Sequence, residues 1–220
     1  VSDHGEDYQA RWNARYAGTD WVWSPAPNAL LVDTLKHLRP GTALDVGCGE
    51  GRHSLWLASK GWQVTGLDFA SAGLDKARRR ARERQLSIHW LAQDVADLAS
   101  HQATYDLVIV MFLHTDPLQR ERWMPQVLAA VKPGGTLLYI GHDPSNVVAG
   151  VGGPQDERLL PSVAEWLAQM TDFDICAARV VARALGAETG HVGTKNLGRD
   201  RRALDAYVHA VRRDAGPSIG

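Results

Sequence analysis

Short apolar runs recur along the chain without alternation, and stretches of helical spacing separate them. Residues 42–46, 63–67, 87–92, 105–112 and 136–140 read as five strands. Unbroken apolar runs this short imply strands buried on both faces, as in a parallel sheet covered by helices. Residues 52–60, 70–85 and 117–131 read as the intervening helices. Gly61 should stop the first, and Pro125 should kink or split the third. Upstream, residues 6–17 and 29–38 read as helices, separated by the aromatic stretch Trp21-Val22-Trp23 and a turn at 25–28. Residues 132–135 read as a turn and 162–169 as a helix. Residues 172–183 and 205–213 read as a late strand pair joined by a glycine-rich loop at 186–199. The order strand–helix–strand points to a doubly wound α/β fold. Ligands bind such sheets at the carboxyl ends of the strands. That directs attention to Asp45–Gly51, Asp68, Asp94, Met111–His114 and Gly141–Asp143.

The 220 residues suit one domain, with 45% apolar and 22% charged residues. A net charge of −1 gives no whole-chain attraction to nucleic acid or acidic membranes. Cys48 and Cys176 form no CxxC pair, which favours a reduced, cytoplasmic setting over a disulfide or zinc scaffold. The first ten residues are polar and acidic, unlike a signal peptide. The longest apolar run, 107–113, is far short of the roughly 20 residues that span a bilayer.

The strongest chemical signal is Asp45-Val46-Gly47-Cys48-Gly49-Glu50-Gly51, a glycine-rich turn between a strand and a helix. Glycines let a ligand approach the backbone, and the helix start offers free amides. A dinucleotide fingerprint from Gly47 fails at its sixth position, which is Arg52, and no Lys-Ser/Thr pair makes a P-loop. Asp68 ends the second strand, where a carboxylate can accept both hydroxyls of a ribose. Asp94 follows the third strand, Met111-Phe112-Leu113-His114 closes the fourth, and Lys132-Pro133-Gly134-Gly135 precedes the fifth.

These five segments, in this order, resemble the class I S-adenosylmethionine-dependent methyltransferases, over roughly residues 8–213. The resemblance implies a Rossmann-like seven-stranded sheet with strand seven antiparallel between strands five and six. It divides the chain into an N-terminal helical and aromatic lid (1–40), a cofactor-binding core (41–143) and a substrate-side region (144–220). Trp12, Arg15-Tyr16 and Gly141–Asn146 look like the small bacterial tellurite-resistance and thiopurine S-methyltransferase group. By the same resemblance, Gly47, Cys48, Gly49 and Gly51 border S-adenosylmethionine, or its product S-adenosylhomocysteine, with Asp45 near the methionine part. Asp68 would bind the ribose, Phe69 would lie on adenine, Asp94 and Val95 would read its edge, and Met111 would offer backbone near the amine. Arg52 would meet the methionine carboxylate or form a structural salt bridge.

Trp12, Trp21 and Trp23 cluster ahead of the core. They read equally as an arm packed on the sheet or as a lid whose aromatic faces, Trp12 and Trp23, attract the sulfonium. His114 and His142 stand at strand ends as candidate general bases, with Asp116 or Asp143 to orient them. No third ligand at suitable spacing favours a metal. The basic run 76–84 reads as a solvated helix face, with Leu74, Ala77 and Ala81 pointing inward. The loop 150–155 is a candidate cover for the active face. The expected activity is methyl transfer to a small-molecule S, N or O nucleophile by a monomer or homodimer. The alternatives are a tRNA or protein methyltransferase, a non-catalytic cofactor-binding regulator, and, disfavoured by Arg52, a nicotinamide dehydrogenase.

Overall fold

Asn28, Asp116 and Ser162 each start a helix for a local reason. Their side-chain oxygens accept from the backbone amides of Leu30 (2.9 Å), Gln119 (3.0 Å) and Glu165 (3.1 Å), satisfying donors that a helix start leaves open. The computed structural model describes residues 3–18, 21–184 and 202–214, without the side chains of 3–7 and 99–101. The loop expected at 186–199 lies outside the described residues.

The helices are α1 (Asp3–Ala17), α2 (Ala29–Leu35), α3 (Arg52–Ser59), α4 (Ser71–Glu83), α5 (Pro117–Ala130), α6 (Asn146–Ala149) and α7 (Val163–Gln169). The strands are β1 (Thr42–Val46), β2 (Gln63–Asp68), β3 (His89–Ala92), β4 (Tyr105–Met111), β5 (Val131–His142), β6 (Phe173–Ala184) and β7 (Arg202–Arg212). The sheet order is β3-β2-β1-β4-β5-β7-β6. β1 with β2, β2 with β3 and β4 with β5 run parallel, and β7 is antiparallel to both β5 and β6. The seven-stranded Rossmann-like sheet with an antiparallel seventh strand is therefore present.

Several boundaries differ from the sequence reading. The Lys132–Gly135 turn lies inside β5, because Tyr105 pairs with Val131 and the next partners are Leu107 and Thr136. The extra residues loop out of the ladder there. α5 is one helix despite Pro125. Trp123, Met124, Val127 and Leu128 are buried on both sides of that proline, and burying each such side chain contributes about 1.5–3 kcal/mol, enough to offset the lost helix bond. A 3-10 turn at Val95–His101 and the short α6 had no periodicity long enough to read.

Contacts group the described residues into two compact units, one ending at Val95 and the other starting at Ala96. In the first, α3 and α4 pack on β1–β3, and the Trp90 ring lies on its strand neighbour Gly66. In the second, Leu107–Val110 and Leu137–Ile140 are fully buried, with Trp123 and Trp166 beside them. The Tyr139 and Trp166 rings are 4.7 Å apart. Among the described residues, no helix is long and apolar enough to cross a membrane.

A methyl group on Gly66 would sit 2.5 Å from Trp90 Cζ3 and 3.1 Å from Ser54 Oγ. Gly66→Ala should therefore cost about 1–3 kcal/mol through overpacking. Urea unfolding should show a lower midpoint with an unchanged slope.

Candidate functional site

The glycine-rich turn is built round two buried carboxylates. Asp68, the last residue of β2, accepts the Gly49 amide on Oδ2 (2.7 Å) and the Ala70 amide on Oδ1 (2.8 Å). Burial raises its pKa, and the two amides pull against that rise. Asp68 thus anchors the turn, and each oxygen keeps a lone pair for a further donor. Asp45 Oδ2 accepts from Ser54 Oγ at 2.6 Å. Its Oδ1 is sealed from solvent with no hydrogen-bond partner among the described residues. Burial pushes Asp45 up to about 7, against the Ser54 bonds and the Arg52 charge. Gly47, Gly49 and Gly51 all have positive φ. At Gly49 a side chain is also excluded by space, since a Cβ would lie 2.6 Å from Tyr16 Oη. The Cys48 amide donates to Leu67 O (2.9 Å), and burial pushes its thiol well above the usual range. Half-buried Arg52 opens α3.

Sequence reasoning passed over Glu50, which joins the turn to the N-terminal arm. Only 2% exposed, its Oε2 accepts the amides of Val22 (3.0 Å) and Trp23 (3.3 Å). Lys76 Nζ lies 3.2 Å and Arg80 Nη1 3.8 Å from Oε1. Arg80 also sits over the Trp21 ring, 3.2 Å from its centre. This corrects the reading of 76–84 as a wholly solvated face: Lys76 and Arg80 turn inward to hold Glu50. Tyr16, Val22 and Ala70 form a small core packed by Trp12, Trp23 and Phe69. Arg15 lies over Trp12 (5.2 Å) and Trp23 (4.8 Å). The faces expected to meet a sulfonium thus carry an arginine of α1, and the arm is tied down by its own contacts. Phe69 packs on Tyr8 at 5.8 Å. Asp94 is exposed just after β3, and buried Val95 opens the 3-10 turn. His53 is buried, accepts the Asn28 amide at 3.4 Å and is held neutral by that burial.

A second group lies at the carboxyl ends of β4 and β5. Met111 is buried as the last residue of β4. Phe112 follows with φ +56, its amide donating to Ile140 O at 2.7 Å. An aromatic residue in that region is strained, and such strain gathers at functional sites. The Phe112 ring meets His142 edge-on at 5.4 Å, and the His114 and His142 rings stack at 5.4 Å. His114 Nε2 accepts the His142 amide at 3.3 Å. Burial, then the neighbouring His142 charge, push His114 down to about 3. A nitrogen so engaged and so weakly basic is a poor proton acceptor.

His142 is 2% exposed, and its Nδ1 lies 3.0 Å from Asp205 Oδ1. That approach has the distance of an ion pair without the alignment of a hydrogen bond. The antiparallel β5–β7 ladder sets it directly, since His142 pairs with Asp205. Asp205, wholly buried, also takes Arg183 Nε on Oδ2 (2.5 Å) and Nη2 on Oδ1 (3.3 Å). Burial would raise its pKa, but His142 and Arg183 outweigh burial and hold it low. The orienting partners named from sequence are corrected here. Asp116 is spent capping α5, and Asp143 Oδ1 accepts from Ser145 N (3.0 Å) and Oγ (2.6 Å). Gly153, in the loop after α6, closes on the His142 ring; a Cβ there would lie 2.7 Å from Nε2. Asn146 ties that loop to β7, donating to Gly152 O (2.8 Å) and accepting the Leu204 amide (2.7 Å). Among the described residues, no three His, Cys, Asp or Glu side chains gather as a metal site.

Residues 43–135 match the family described as a methyltransferase domain. That matched stretch holds the glycine-rich turn, Asp68 and Asp94. A ubiquinone biosynthesis O-methyltransferase of Coxiella burnetii is 35% identical over 131 residues, 54% of this chain and 56% of that protein. The chain thus spans little more than half the length of that curated relative. A 2-heptyl-1-hydroxyquinolin-4(1H)-one methyltransferase of Mycobacteroides abscessus is 28% identical over 172 residues, 76% of this chain and 74% of that one. Among solved structures, TehB from Haemophilus influenzae superposes with a TM-score of 0.66 at 21% identity, over 85% of this chain and 63% of that one. At that identity the likeness carries the fold and does not single out the tellurite-resistance group.

The glycine-rich turn has features that suit S-adenosylmethionine, the cofactor that the resemblance implies. Asp45 Oδ1 is a buried acceptor with no hydrogen-bond partner among the described residues, of the charge an ammonium would need, and Gly47, Gly49 and Gly51 leave the turn's backbone free of side chains. A bound cation would hold Asp45 ionised. Affinity for S-adenosylmethionine should therefore weaken as pH falls below about 7, and Asp45→Asn should bind more weakly with no such pH dependence. The same shift acts on the free protein. The folded pKa, about 7, lies above the ordinary 3.8, so this stabilisation is complete below the unfolded value and is lost as pH rises through 7. Melting temperature should fall between pH 5 and 8 in the free wild type, and fall less in Asp45→Asn.

Proposed function

We propose that this chain transfers a methyl group from S-adenosylmethionine to a hydroxyl group of a small molecule, with His142 taking the hydroxyl proton. The observation that carries this reading is the buried His142–Asp205 pair at the end of β5. A thiolate or other soft anion needs no base, whereas a hydroxyl does. The pair therefore favours an oxygen acceptor over the sulfur acceptor of the thiopurine-type group. The names of the two curated relatives, an O-methyltransferase and a hydroxyquinolone methyltransferase, agree with that choice.

In this reading, Asp45 faces the methionine ammonium, Asp68 takes the ribose hydroxyls, and Asp94 and Val95 read the adenine edge. Gly47, Gly49 and Gly51 border the ligand, and Met111 contributes backbone. The cofactor supplies an electrophilic methyl group on a sulfonium. The protein supplies orientation and a proton acceptor. With Nδ1 turned to Asp205, the proton-accepting atom of His142 is Nε2. The Asp205 carboxylate stabilises the imidazolium that results, as the buried aspartate does in hydrolase triads. Gly153 packs against the ring and limits its rotation. His114 orients His142 through its backbone and does not titrate in the working range.

His142→Asn and Asp205→Asn should each lower kcat for a hydroxyl acceptor by about 10²–10⁴-fold. Calorimetric affinity for S-adenosylhomocysteine should stay unchanged in both. Wild-type turnover in His142→Asn would remove the base role.

A further inference from the structure

Arg183 does more than its ion pair with Asp205 requires. Nε and Nη2 meet that carboxylate. A guanidinium has five N–H donors, and the two bonds to Asp205 use two of them. The side chain is 20% exposed while Asp205 is 0% exposed. The pair is therefore a dipole with its positive end outward. Arg183 also lies over the strained Phe112 ring, 5.3 Å from its centre, and that ring abuts both His114 and His142. Asp205 Oδ1 is shared, with His142 Nδ1 at 3.0 Å and Arg183 Nη2 at 3.3 Å. One buried oxygen thus meets both the His142 ring, through Nδ1, and the Arg183 guanidinium.

We propose that Arg183 reads a negative charge on the acceptor, so that the methylated hydroxyl stands next to a carboxylate or similar anionic oxygen on the same small molecule. This rests on the hydroxyl-methylation reading above and names the substrate class for that site. A planar guanidinium fork suits a carboxylate, and such charge-assisted bonds are about twice as strong as neutral ones. Neighbouring oxygens suit the site because the His142 ring and the Arg183 guanidinium meet the same Asp205 carboxylate and the same Phe112 ring. A neutral alcohol or phenol would leave the outward N–H groups unanswered, which disfavours it.

The test uses the full chain, saturated with S-adenosylhomocysteine, titrated by calorimetry with two probes. One is 2-hydroxybenzoate, and the other is its neutral counterpart 2-hydroxybenzamide. Wild type should bind the carboxylate at least about ten-fold more tightly. Arg183→Gln should bring the two within about two-fold, with affinity for S-adenosylhomocysteine unchanged. Should loss of the cation unfold that variant, Arg183→Lys keeps a charge for Asp205 without the fork, and most of the preference should still vanish. Equal binding of the probes by wild type, binding of neither, or a full preference in a folded variant would overturn the proposal. Failure of wild type to bind S-adenosylhomocysteine would instead overturn the methyltransferase reading, which keeps the two failures apart.

Discussion

A carboxylate removed from water has to be compensated, and this chain withdraws five of them almost completely among its described residues: Asp45, Glu50, Asp68, Asp143 and Asp205. Each is compensated differently, and the differences order the structure. Asp68 takes two backbone amides and so shapes the glycine-rich turn. Glu50 takes two arm amides and two α4 cations. Asp143 is consumed locally by Ser145. Asp205 is matched by Arg183 and His142. Asp45 alone of the five keeps a sealed oxygen with nothing on it. Asp68 and Glu50, matched within their own unit, build the turn and tie the arm to it, and Asp205 instead pairs the two long strands' charged side chains.

Much of this was legible in the residues because it is local. Strands β1 to β4 follow from unbroken apolar runs, and the Asp45–Gly51 turn follows from glycine spacing. Asp68 and Asp94 were singled out because strand ends are predictable from those runs. The missing parts are non-local. Asp205 becomes the partner of His142 only through the β5–β7 register, and no spacing within either strand announces it. Nearby Asp116 and Asp143 were the tempting choices, yet helix capping and a tight turn had already claimed them. Phe112 shows its importance through a backbone angle, which composition does not carry.

The basic run on α4 shows the same limit. Counting charges treats Lys76 and Arg80 like their neighbours. Helical phase places Arg80 near Ala77 and Ala81, on the buried side. Inside, a buried arginine needs both an anion and a flat apolar partner, and Glu50 and Trp21 meet those needs. Arg78 and Arg79, by contrast, make outward pairs with Asp75 and Glu83. Pairs like those contribute little to stability.

The contacts between Glu50 and the arm span 27 and 28 positions of chain. Their acceptor is in place only once β1 and β2 have paired and Asp68 has closed the turn. The arm's attachment is therefore contingent on the turn, since without Glu50 in place two arm amides lose their acceptor. Opening those two bonds breaks none of the β1–β2 ladder. Amide exchange at Val22 and Trp23 would then run on a different clock from exchange in β1.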